Sequence, residues 1–199
     1  MKFKKILPFL LFLILLPSTL SIVFLALSKQ TMNQGIEALL PEVVPGTLYK
    51  SEIQHFDNGR EACVVCCVPG INDGTERRYD INVLVSGGLF GNTIILNHVD
   101  SYLLSEINDI DKSNISIQAD TFLTKGNSPY AAVYYGLAPK DVAEISINGQ
   151  NATIVHQSLK VDGTVYSANV YYCFIPMNGE QINEYNVTGT VSSFKVNVA

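Results

Sequence analysis

Residues 6–28 run without a single charge, and the hydrophobic pattern changes character twice after them. As a helix this stretch would rise about 34 Å at 1.5 Å per residue, enough to cross a bilayer core. Lys2, Lys4 and Lys5 stand just before it. Basic residues on that side hold the N-terminus in the cytoplasm and send everything that follows outside. The segment therefore reads as an N-terminal transmembrane or signal helix. Ala26-Leu27-Ser28 offers a small-x-small site, and cleavage after Ser28 would leave a secreted protein. The run is longer than a signal core of about 7–15 residues, so a retained single-pass anchor in the lipid bilayer is the expectation.

In residues 29–40 the apolar period is helical, with Met32, Ile36, Leu39 and Leu40 on one side and Pro41 as a stop. A helix running through the cleavage site would shield it from a peptidase. Residues 1–28 are thus read as anchor, 29–45 as a short stalk and 46–199 as the folded part.

Beyond Pro41 the period falls to two. Runs rich in Val, Ile, Tyr and Thr at 81–85, 93–96, 114–123, 130–135, 142–147, 152–156, 167–175 and 188–198 predict strands. Asn58-Gly59 predicts a hairpin between 47–56 and 60–68, because both residues accept positive φ. Asn148-Gly149, Asp162-Gly163 and Asn178-Gly179 mark further tight turns. Residues 99–107 are ambiguous, since Leu103, Leu104 and Ile107 would also suit a helical face. About ten short strands predict a mainly β, antiparallel, sandwich-like extracytoplasmic domain. The alternative is a division near 125–129 into two small β units, the second with the strand count of an immunoglobulin-like module.

Charge narrows the partners. Without the three leading lysines, 10 basic residues face 18 acidic ones, a formal charge of −8. Such a surface repels phosphate backbones and excludes nucleic acid. An extracellular protein or glycan is the expected partner. Tyr130, Tyr134, Tyr135, Tyr166, Tyr171 and Tyr172 could form a stacking stripe, although alternation sends Tyr134 and Tyr135 to opposite faces.

The most informative polar feature is the cysteine set: Cys63, Cys66 and Cys67 in one strand-like run, and Cys173 far along the chain. In an oxidising compartment an even count predicts disulfides. On an extended strand Cys63 and Cys66 point to opposite faces, and Cys63 and Cys67 lie about 13 Å apart. The simplest expectation is one bridge from this strand to Cys173. A thiol-redox or zinc role for Cys63, Cys66 and Cys67 is the alternative. The strand lacks the helix N-terminus that lowers a redox thiol's pKa, and no second ligand pair follows.

Asp109, Asp111, Ser113 and Asp120 imitate a calcium-loop spacing, but Asn114 stands where the loop needs Gly and the exit is strand-like. A solvated acidic turn is the better reading. His55, His98 and His156 are scattered, and the Ser192-x-x-Lys195 offset puts its two ends on opposite faces of a strand. Asn114, Asn151 and Asn186 head Asn-x-Ser/Thr triplets, relevant only in a eukaryotic secretory route. No cofactor motif is present. These features together predict a membrane-tethered domain with a non-enzymatic interaction or structural role. A hydrolase assembled from separated loops is the remaining alternative.

Overall fold

The computed structural model of the chain describes residues 30–40, 42–56, 59–70, 76–87, 93–110, 118–123, 129–176 and 194–198. The anchor segment 6–28 lies outside these residues, as do Asn58, Asp111, Ser113, Asn114, residues 125–128, Asn178-Gly179, Asn186 and Ser192. Among the described residues no helix is long and apolar enough to cross a membrane.

These residues form one short helix and antiparallel β-strands. Helix α1 (Met32–Leu39) is followed by β1 (Tyr49–Lys50), β2 (Gln54–His55), β3 (Glu61–Cys67), β4 (Arg78–Gly87), β5 (Thr93–Leu103) and β6 (Gln118–Leu123). Then come β7 (Pro129–Ala138), β8 (Val142–Ile147), β9 (Gln150–Asn151), β10 (Thr153–Val161), β11 (Thr164–Pro176) and β12 (Phe194–Val198). One sheet runs β1-β3-β4-β5, with β2 also paired to β3. A second runs β10-β11-β7-β6, and a third, smaller one runs β12-β8-β9.

Strands β3 and β7 are among those buried on both faces, which explains why their sequences run apolar without alternating. Ala62, Val64 and Cys66 of β3 face the second sheet, in a cluster with Ala131, Val133, Tyr135 and Leu137 of β7. Cys63 and Val65 face the other way, onto Met32 and Ile36 of α1. In β7, Ala132 and Tyr134 turn from the shared core toward Val142, Ile145 and Ile147 of β8. The order of layers is helix, sheet, sheet, sheet. The central cluster draws residues from both sides of 125–129. Each fully buried aliphatic there contributes about 1.5–3 kcal/mol.

Helix α1 is shorter than its sequence period predicts. Thr31 is extended, at φ −75° and ψ 156°, and forms a capping box with Gln34. The Thr31 amide donates to Gln34 Oε1 at 2.9 Å, and the Gln34 amide donates to Thr31 Oγ1 at 3.3 Å. Such a cap satisfies N–H groups that the first turn leaves unpaired, so the helix starts at Met32 rather than at residue 29. Gln30 then reaches the sheet, its Oε1 accepting the Ile94 amide at 3.0 Å.

The hairpin turns follow the sequence. Asn148 and Gly149 have φ of 51° and 79°, and Asp162 and Gly163 have 49° and 84°. Two consecutive positive values are those of the tight turn whose twist matches the flanking strands. Residues 99–107 resolve differently: β5 continues to Leu103, and a turn then buries Leu104 and Ile107 in the central cluster. Their helix-like spacing belongs to that turn.

The edge of the first sheet carries a β-bulge. Lys50 pairs with Val65 and Gln54 with Ala62, so three residues, Ser51, Glu52 and Ile53, oppose two, Cys63 and Val64. Ser51 holds it in place. Its amide donates to the Val64 carbonyl at 2.9 Å, and its hydroxyl accepts the Val64 amide at 3.0 Å. The extra residue inverts the strand's facing. Tyr49 and Phe56 therefore both pack toward the second sheet, whereas Ile53 packs on the helix side.

Candidate functional site

The bulge builds one wall of a half-open cleft of about 480 Å³. Tyr49 of β1, Glu52 of the bulge and Gln54 of β2 line it from the first sheet. Without the extra residue, Tyr49 and Gln54 would face opposite ways. The opposite wall comes from Gln150 and Asn151 of β9 and Thr153 of β10. The Asn148-Gly149 turn delivers that pair of amides, because it is only two residues long and ends at Gln150. Tyr172, Cys173 and Phe174 of β11 complete the lining.

Aromatic rings form the inner part. Tyr49 and Tyr172 stand 6.5 Å apart, and their phenols are hydrogen-bonded at 2.9 Å. Tyr172 meets Phe174 edge to face at 6.0 Å, and Phe174 meets Phe56 at 6.4 Å. Edge-to-face pairs of this kind add about 0.5–1.5 kcal/mol to their burial. Burial first, and the Tyr172 hydrogen bond second, hold the Tyr49 phenol well above its ordinary pKa. The outer part is polar and exposed: Gln54, Gln150, Asn151, Thr153 and Glu52. Among the described residues lining the cleft, Glu52 alone is charged.

Cys173 sits in the wall, 5% exposed, with its thiol 3.8 Å from Gln150 Oε1. Burial raises its pKa, so the thiol is protonated at neutral pH. The bridge expected between this residue and the 62–68 run is not formed: Cys63, Cys66, Cys67 and Cys173 are all free. The layers explain it. Cys66 faces the central core, Cys63 faces α1, and Cys173 belongs to the cluster between the second and third sheets. Burial pushes the Cys63, Cys66 and Cys67 thiols up to about 12. Cys67 also receives the Asn82 amide at 3.7 Å.

The other sequence candidates do not converge here. Asp109 is exposed at the end of the turn after β5, and Asp120 lies in strand β6 rather than at the start of a helix. Among the described residues no group of three or more His, Cys, Asp and Glu side chains is placed to hold a metal. His156 Nδ1 pairs with Asn169 Oδ1 at 2.7 Å, while Asn169 Nδ2 donates to the Pro139 carbonyl at 2.8 Å. His55 pairs across the β2–β3 ladder with Glu61 at 3.5 Å.

Of the tyrosine stripe, Tyr134, Tyr135 and Tyr171 are buried in the two cores, and Tyr172 reaches the cleft. Sequence reasoning missed Tyr49, Glu52, Gln54, Gln150 and Phe174. Only Asn148-Gly149 could have pointed to any of them, by fixing where Gln150 and Asn151 emerge. Searches against protein-family models, curated proteins and solved structures find no match to this chain.

Proposed function

We propose that this chain is a membrane-tethered extracytoplasmic β-sandwich that acts in recognition, through the cleft at the bulged edge, rather than in catalysis. The composition of the cleft carries the reading. Aromatic faces inside, three carboxamides at the rim and a thiol kept protonated by burial suit binding better than bond-breaking. The sandwich reading is supported by one cluster shared between the first two sheets, which also favours a single domain over residues 46–199. Outward placement rests on the lysines before residues 6–28.

The thiol-redox and metal alternatives lose support from the burial of Cys63, Cys66 and Cys67. A thiolate is the form that attacks a disulfide or binds zinc, and these thiols ionise only near 12. Cleavage after Ser28 gains support from one observation. Thr31 ends α1 in extended backbone, so this helix does not run through the cleavage site.

A membrane-impermeant amine reagent applied to intact cells tests the reading. Lys140 and Lys160 are exposed on the folded part and are expected to label from outside. Intact mass of the labelled chain then separates a retained anchor from a chain beginning at Lys29. Labelling only after lysis would refute the outward placement.

A further inference from the structure

We infer that the cleft is a subsite for a neutral saccharide, recognised by stacking on its aromatic floor and by the carboxamides at its rim. This inference rests on the cleft being a recognition site. A pyranose ring presents an apolar C–H face and a rim of hydroxyls that each donate and accept. The cleft has the same division. Tyr172 and Phe174 supply the apolar inner surface, while Gln54, Gln150 and Asn151 each bring a carbonyl oxygen and an NH₂ on one planar group. One such group can accept from one hydroxyl and donate to its neighbour. The Tyr49–Tyr172 pair, joined phenol to phenol at 2.9 Å, adds hydroxyl partners at the floor.

Size and charge select against other ligand classes. About 480 Å³ lies within the roughly 300–1,000 Å³ of small-molecule sites, room for one or two sugar rings. Glu52 is the charged group among the described lining residues, so an anionic ligand meets repulsion and no cation. A quaternary ammonium needs aromatic faces open around a central space. Here the rings pack on one another instead of ringing a space, Tyr172 and Phe174 edge to face at 6.0 Å and Tyr49 and Tyr172 tilted at 6.5 Å. The three rim amides would also go unused by an ammonium group.

The test uses the full chain in lipid nanodiscs, free of sugar-based detergent. Chitotriose, cellotriose and maltotriose are titrated by calorimetry, with choline as the cationic control. At least one trisaccharide is expected to bind saturably at one site per chain. Gln150 is exposed, so Gln150→Ala leaves the thermal melt in place and weakens that binding about tenfold, the loss of one to two hydrogen bonds. Asn151→Ala is expected to act in the same direction. No saturable binding of any trisaccharide overturns the proposal. So does full affinity in Gln150→Ala, or tighter binding of choline than of any sugar. The outward labelling of Lys140 and Lys160 needs no ligand, so a wrong ligand class and a wrong topology give different results.

Discussion

The phenol of Tyr49 meets the phenol of Tyr172 at 2.9 Å, across 123 positions of sequence. This contact ties the edge of the first sheet to the centre of the second at the floor of the cleft. Tyr49→Phe keeps the ring contact and removes the bond. It is expected to cost about 0.5–1.5 kcal/mol in urea unfolding. A loss well above that range would mean the hydroxyl supports more than this one partner.

Stability should fall on the alkaline side. The Cys63, Cys66 and Cys67 thiols are held at about 12 against an ordinary 9.0, by burial first in each case. In the unfolded chain they lose protons near 9, while the native state retains them. The unfolded state then binds fewer protons, and unfolding becomes easier as pH rises. The stabilisation is complete below about 9 and is lost as pH climbs towards 12, by up to about 1.4 kcal/mol per thiol per pH unit. Burial of Tyr49, Tyr79 and Tyr171 acts in the same direction at higher pH still. Urea midpoints compared between about pH 7 and pH 10 read this directly. A flat profile would show that the thiols titrate normally.

Ser51 links stability to the shape of the cleft. Ser51→Ala leaves the buried Val64 amide without its hydroxyl acceptor, a loss of about 1–3 kcal/mol. The bulge also loses its side-chain staple, so Glu52 and Gln54 are held less firmly against the cleft. The variant should therefore weaken trisaccharide binding although Ser51 is not among the residues lining the cleft. Unchanged affinity together with reduced stability would separate the staple from the site.

At Gly35 the helix backbone lies close against the sheet. A Cβ at this position would lie 2.3 Å from Ile94 Cβ, far inside contact distance. Gly35→Ala must push α1 off the sheet, and overpacking of this kind costs about 1–3 kcal/mol. Hydrogen exchange should localise the damage to α1 and to the Ile94 amide, which Gln30 accepts. Protection unchanged at both places would contradict this packing.

The mainly β character and the tight turns were legible because they depend on local backbone chemistry. Asn148-Gly149 and Asp162-Gly163 adopt the positive φ values that their residue types favour. Placement of the cysteines was legible only in part. Alternation correctly separated Cys63 from Cys66, but the pairing with Cys173 depended on which layer each strand faced. Several layers stacked on one another hide that information, because β3 and β7 are apolar on both sides. The cleft was least legible. Its first wall exists because one extra residue inverts the chain between Tyr49 and Gln54, and nothing in the residues 51–53 announces a bulge. Its second wall depends on β9 and β10 belonging to different sheets, a long-range fact without a local signal.

The capped helix also decides how the protein would carry a load. If residues 6–28 are retained as the proposed anchor, a pull on them would reach the folded part at Gln30 and α1. That helix is held to the sheet by Met32, Ile36 and the Gln30–Ile94 hydrogen bond. The next firm attachment begins at Glu42, whose carbonyl accepts the Gly70 amide at 2.9 Å, and continues through the Val43–Pro69 bridge and the Val44 amide bonded to the Val68 carbonyl. Tension would peel α1 away first, freeing about a dozen residues and roughly 40 Å of slack at about 3.5 Å per residue. The sheets that form the cleft would stay closed while this slack is drawn out. On the proposed anchored topology the helix would thus act as a mechanical fuse, absorbing extension before the cleft is deformed.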